Sequence, residues 1–243
     1  MHNASDCNYY VSSTFNNAIE QKKISNDSFS MISLNTRSIP RHFTEFQNYI
    51  HTLNIKFSVI ALCETWCNSS NIDCYELEGY NHESIYRDLK RGGGISLFVK
   101  KGIEYKLRKD VTKMSEIIES LIIEIDKQSF NVEHNIIAGS VYRAPGGDLN
   151  SFNKELAKVY NSAVTPTKTA YIAGDFNINL FNADFHQPTQ EFLDINFSAS
   201  LIPSITKPTR VTPNSATLID NIFTKGPVIK HYWGGAGGFS KIL

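Results

Sequence analysis

Apolar residues along this chain fall into short runs and helical stripes. Phe29, Met31, Ile32 and Leu34 partly alternate and then run together, which predicts a buried strand over Phe29–Asn35. Phe43, Phe46, Ile50 and Leu53 follow at helical spacing, which predicts one face of a helix after the break at Pro40. The short run Ser58–Leu62 predicts a second strand, so the opening reads strand–helix–strand, the grammar of a parallel βαβ unit. Further strands are predicted at ISLFVK ending on Lys100, Ser120–Ile125, Asn135–Tyr142, the TAYIAG run before Asp175, and Thr217–Phe223. Between them, Leu149, Phe152, Leu156 and Val159 mark a helix with Asp148 or Asn150 as N-cap, and Phe192 and Ile195 mark another after Pro188. Consecutive strands in the middle of the chain predict an α/β fold with mixed sheets.

The ends look different. Residues 1–27 are rich in Asn and Ser without visible periodicity and read as a tail or linker, and residues 226–243 read as a Gly-rich tail. The body is expected to be one domain over 28–225.

Composition narrows the classes. The chain has 243 residues, 41% hydrophobic, and its 24 basic residues equal its 24 acidic ones. That content supports a core, and the zero net charge excludes a protein that coats DNA by bulk positive charge. Neither a signal peptide nor a run long enough to span a membrane is visible, so an intracellular place and no membrane partner are expected. Cys63, Cys67 and Cys74 with His82 fit no common zinc spacing, and buried thiols are the preferred reading.

The chemistry lies where strands end in polar residues. Asn35 closes the first strand and Glu64 follows the second. Tyr142 and Arg143 close a third, Asp175 and Asn177 follow TAYIAG, and Asp220 interrupts the apolar run TLIDNIF. In open α/β sheets, ligands bind at the carboxyl ends of strands. Acids and amides converging there would make an oxygen-rich pocket suited to a hard cation such as Mg²⁺, which assists attack on a phosphodiester. Taken singly, each residue has an ordinary reading as a turn, a solvated acid or packing. Asp220 is the least ordinary, because an acid inside an apolar strand needs a partner or a role. Gly92–Gly94 lacks the phosphate-loop pattern and reads as a turn.

In their order, SLNTRSI, VIALCETW, GGGISLFVK, VYRAP, AGDFNINL and ITKPTRVTPNSATLIDNIF resemble the endonuclease/exonuclease/phosphatase superfamily. Within it, they resemble the endonuclease domain of non-LTR (LINE-type) retrotransposons, over roughly Phe29 to Lys225. The resemblance implies a four-layer α/β sandwich, two mixed β-sheets flanked by helices. It implies Mg²⁺-dependent (or Mn²⁺-dependent) nicking of DNA that primes reverse transcription, a reverse transcriptase encoded downstream as partner, and a nuclear place of action. Asn35 and Glu64 would sit at the metal and Tyr142 at the phosphate. Asp175 would activate the nucleophile with Asn177 beside it, and Asp220 would support a catalytic histidine. Arg143 and Arg210 would contact the DNA backbone. The family pattern closes on a Ser-Asp-His motif that is absent here, and His231 lies in KHY instead. A domain cut short before its last strands is therefore expected, with a catalytically dead remnant that binds DNA as the alternative. A phospholipid phosphoesterase on the same fold ranks below both.

Overall fold

The computed structural model describes residues 7–23, 27–226, 232–234 and 240–242. Two mixed sheets lie face to face with helices outside, an α/β sandwich of four layers. Met31–Asn35 and Val59–Cys63 pair in parallel, joined by a helix (Ile39–His51), which is the predicted βαβ unit. Pro40 lies in the first turn of this helix rather than breaking the chain before it, because the first turn needs no intrahelical N–H from it.

The first sheet runs in spatial order Asn8–Tyr9, Tyr232–Gly234, Ser240–Ile242, Met31–Asn35, Val59–Cys63, Ile95–Lys100, Tyr80–Ile85. The second runs Ile202–Pro203, Asp220–Lys225, Thr169–Asp175, Ile136–Tyr142, Glu119–Ile125, Tyr105–Leu107. Its one parallel pair, Ile136–Tyr142 with Thr169–Asp175, is linked by the helix Leu149–Ala163, capped by Asp148 through Ser151 N. Gln187–Ser198 packs beside that helix.

Strand alternation explains the layers. Along Val59–Cys63, Val59, Ala61 and Cys63 face the second sheet, packing with Leu121, Ile123, Ala138 and Ala173. Ile60 and Leu62 face outward onto Phe46 and Ile50 of the Ile39–His51 helix. On the other side Ile122, Ile137 and Ile172 meet Phe152, Leu156 and Phe192. Both faces of the central strands are buried, which is why they read as continuous apolar runs.

Two expectations are corrected. Part of 1–27 is ordered into a strand, Asn8–Tyr9, and a helix, Ser12–Gln21, whose Phe15, Ala18 and Ile19 are buried. Three apolar residues at helical spacing are enough to seat it on the outer face of the first sheet, beside Phe57. The 226–243 segment also contributes strands. Tyr232–Gly234 and Ser240–Ile242 pair with each other, and Ser240–Ile242 pairs antiparallel with Met31–Asn35. This satisfies backbone groups that would otherwise leave Met31–Asn35 an open edge. Residues 1–6 and 24–26 of the first segment, and 227–231, 235–239 and 243 of the second, lie outside the described residues.

Candidate active site

Register assembles the site. In the second sheet Glu119 lies opposite Tyr142, Tyr142 opposite Asp175, and Asp175 opposite Asp220, one row across four strands. In the first sheet Asn35 lies opposite Cys63, the residue before Glu64. The two rows meet at the same end of the sandwich. There Asn35 Nδ2 donates to Glu64 Oε1 at 2.8 Å and to Asp175 Oδ2 at 2.7 Å, while Asn35 Oδ1 accepts from Arg37 N at 3.2 Å.

The backbone around these groups is strained. Arg37, Ser38, Glu64, Trp66 and Asn177 all have positive φ, between 44° and 107°. Side-chain-bearing residues adopt such angles at a cost, and clusters of them gather at functional sites. The strain turns the Glu64 and Asn177 loops sharply as they leave their strands. Asn177 N donates to Asp175 Oδ1 at 3.1 Å, so both oxygens of Asp175 are held.

Charge is crowded here. Asp175 and Asp220 are both 5% exposed. Burial, then the Asp220 charge, pushes the Asp175 pKa well above the ordinary carboxylate value. Burial raises Asp220 to about 6, against Thr209 and the Arg37 and Arg210 charges, which favour its ionised form. Asp220 Oδ2 is buried and has no partner among the described residues. Burial also raises Tyr142, as do the charges of Glu64, Asp175 and Glu119, so its hydroxyl stays protonated and able to donate.

Among the described residues no three His, Cys, Asp or Glu side chains form a ready metal cluster. The donors still fit a hard cation. Mg²⁺ is usually held by one or two carboxylates, completed by waters and substrate phosphate oxygens. Half-buried Glu64 beside Asn35 supplies such a ligand, and the orphaned Asp220 oxygen with the mutually opposed acids is negative charge that a cation offsets. The cysteines are all free; Cys63 and Cys67 are buried and Cys74 is exposed. Burial pushes Cys63 up to about 12, consistent with a packed thiol beside Ser140.

Asn35, Glu64, Tyr142, Asp175, Asn177 and Asp220 thus stand at one end of the sandwich. Asn177 Nδ2 already donates to Arg143 O at 2.8 Å, leaving one amide hydrogen for a substrate. The two arginines part company. Arg210 is exposed on a hairpin, Arg210–Thr212 with Ser215–Thr217, near Asp220. Arg143, expected on the DNA-facing surface, is instead buried, donating to Asn177 O at 3.1 Å and to Gly147 O. Its apolar surroundings and the free carbonyls of two loops drew it inward as a brace. His231 lies outside the described residues.

Sequence reasoning missed Glu119 and Arg37. Glu119 is 1% exposed and accepts from Arg87 Nε at 2.6 Å and from Gly94 N at 2.7 Å. Its position one residue before an apolar run was the available signal. Arg37 is exposed, two residues after Asn35, and was visible only as part of SLNTRSI.

Residues 32–235 match the model of the Endonuclease/Exonuclease/phosphatase family. Among solved structures, the fold is similar to an AP endonuclease from Leishmania major, with TM-score 0.64 and 15% identity over 89% of this chain and 84% of that one. It is also similar to the endonuclease domain of TRAS1, a telomere-specific non-LTR retrotransposon, with TM-score 0.61 and 12% identity over 81% and 84%. A third is the 3′ phosphatase NExo from Neisseria bound to a product DNA hairpin, with TM-score 0.60 and 12% identity over 81% and 86%. No curated protein matches the chain by sequence. The family match covers most of the chain and spans the whole row of site residues from Asn35 to Asp220, so this chain belongs to the endonuclease/exonuclease/phosphatase family.

Proposed function

We propose that this protein is a divalent-metal-dependent phosphodiester hydrolase that nicks DNA. The Asn35 amide carries the reading, because it ties Glu64 of one sheet to Asp175 of the other. Two proteins of similar fold are named as endonucleases, and a third, a 3′ phosphatase, is bound to a DNA hairpin.

Glu64, with Asn35 beside it, would hold Mg²⁺ or Mn²⁺, which would offset phosphate charge and favour departure of the leaving oxygen. Asp175 orients the attacking water and accepts its proton. Its raised proton affinity suits a base, and Asn35 with Asn177 N fixes its direction. The Tyr142 hydroxyl and the remaining Asn177 amide hydrogen donate to the phosphate as its charge grows. Exposed Arg37 and Arg210 flank Asp220 and supply a local basic rim, so a neutral chain can still meet a polyanion. In the retroelement setting suggested by the sequence, the nick would prime a reverse transcriptase acting in the nucleus.

One observation favours a second reading, DNA binding without cleavage. Asp220 Oδ2 is buried and lacks a partner among the described residues. Incubating supercoiled plasmid with the protein and Mg²⁺ separates the two. Conversion to open circles that a chelator and Asp175→Ala both abolish supports the nuclease. Intact plasmid in the presence of folded, DNA-bound protein supports the second reading.

A further inference from the structure

The buried acid Glu119 is used by none of these steps, yet it stands in the row of site residues opposite Tyr142. Its carboxylate touches a second structure as well. Oε1 accepts from Arg87 Nε at 2.6 Å, the Arg87 Nη2 closes on the same oxygen, and Oε2 accepts from Gly94 N at 2.7 Å. Gly94 O in turn accepts from Thr65 N at 3.3 Å, and Gly93 O accepts from Trp66 N at 2.9 Å. Thr65 and Trp66 directly follow Glu64, and both Glu64 and Trp66 hold positive φ. A strained backbone of this kind persists only where its surroundings over-determine it.

The glycines make this contact possible. A Cβ at Gly93 would collide with Glu119 Oε1 and Arg87, and one at Gly94 would collide with Thr65 Oγ1. Gly92–Gly94 is therefore a clamp, with Glu119 and Arg87 on one side and the loop after Glu64 on the other.

We propose that Glu119 is a positioning residue: through Gly93–Gly94 it fixes the Glu64–Trp66 loop, and so sets how tightly Glu64 holds a divalent cation. The inference rests on the proposed function only in taking Glu64 as the cation's ligand. Residues that orient a metal ligand without touching the metal typically cost about 10- to 100-fold in affinity when altered.

A buried ion pair that serves stability alone would behave differently, and the same strand supplies the comparison. Glu124 is 5% exposed and paired with Arg108 and Lys168, five residues beyond Glu119 on Glu119–Ile125. The test is Mn²⁺ binding, followed by electron paramagnetic resonance and calorimetry, alongside thermal unfolding. Glu119→Gln is expected to bind Mn²⁺ about tenfold more weakly, Glu124→Gln to bind as wild type, and Glu64→Gln to lose the site. If Glu119→Gln does not fold, Arg87→Lys, which gives up the two-nitrogen grip, carries the same expectation. Equal binding by Glu119→Gln and wild type, equal weakening by both Gln variants, or a wild-type protein that binds no cation overturns the proposal. Plasmid nicking is scored separately. Glu119-dependent binding in a protein that leaves DNA intact supports this inference while removing the nuclease reading.

Discussion

Asn35 Nδ2 donates to Asp175 Oδ2 at 2.7 Å, joining two sheets through residues 140 positions apart in the sequence. The same nitrogen donates to Glu64 Oε1, so both amide hydrogens are used, and each acceptor belongs to a different step of the proposed reaction. Asn35→Ala removes both bonds and leaves two acids facing a gap. Nicking is expected to fall by roughly 10²- to 10³-fold. Stability is expected to fall by about 1–3 kcal/mol. Single-turnover cleavage and urea denaturation measure the two effects, and unchanged cleavage would remove Asn35 from the mechanism.

The Asp220 pKa of about 6 makes stability depend on pH in an unusual direction. The folded state holds this proton more tightly than the unfolded chain does, where Asp titrates near 3.8. Between about pH 4 and 6 the unfolded state therefore binds fewer protons, and stability falls as pH rises. The shift corresponds to about 3 kcal/mol. Asp220→Asn should reduce the slope in this window, leaving the part that Asp175, also raised, contributes, and should raise the melting temperature at pH 8. Unfolding of wild type and variant from pH 4 to 8 checks it; an equal slope in both would assign the effect elsewhere.

Much of the site was legible because apolar runs ended abruptly on Glu64, Tyr142 and Asp175, and because Asp220 broke one. The pairing that aligns them was not legible, since register emerges only when strands meet. Glu119 hid because an acid at the start of a strand usually faces water. Tyr80–Ile85 was missed because a half-exposed edge strand carries polar side chains. The Ser12–Gln21 helix was masked by Asn and Ser around its three buried residues.

Phe15 tests that helix. It is 1% exposed, with its ring stacked 6.5 Å from Phe57. Phe15→Ala should cost about 3–5 kcal/mol. The effect of a residue in a loose tail would be near zero, so chemical denaturation distinguishes the two directly.

The three adjacent glycines should not respond alike. All have positive φ, so alanine at any of them pays a backbone cost of about 1–2 kcal/mol. At Gly92 a Cβ meets nothing within 4 Å, and that cost should be the whole effect. At Gly94 the Cβ meets Thr65 Oγ1 and the Ile85 carbonyl, so Gly94→Ala should be clearly the more damaging. Equal melting temperatures for the two variants would show that the clamp can relax.

Arg143 and Arg210 were expected to do the same work, and the structure separates them. Arg210 is exposed, so Arg210→Ala should weaken DNA binding and reduce the slope of log K against log salt by about 1. Arg143 is buried and holds the Asn177 and Gly147 carbonyls, and burial lowers its pKa. Arg143→Ala should leave the salt slope unchanged, because no phosphate contact is lost. It should instead loosen the Asn177 loop, lowering cleavage and stability together. Arg143→Lys should not restore the wild type, since an ammonium on a flexible stem does not reproduce the planar guanidinium that spans both carbonyls. Fluorescence-anisotropy titrations at several salt concentrations, with unfolding curves for each variant, read both arms. A reduced salt slope in Arg143→Ala would return that side chain to the DNA surface.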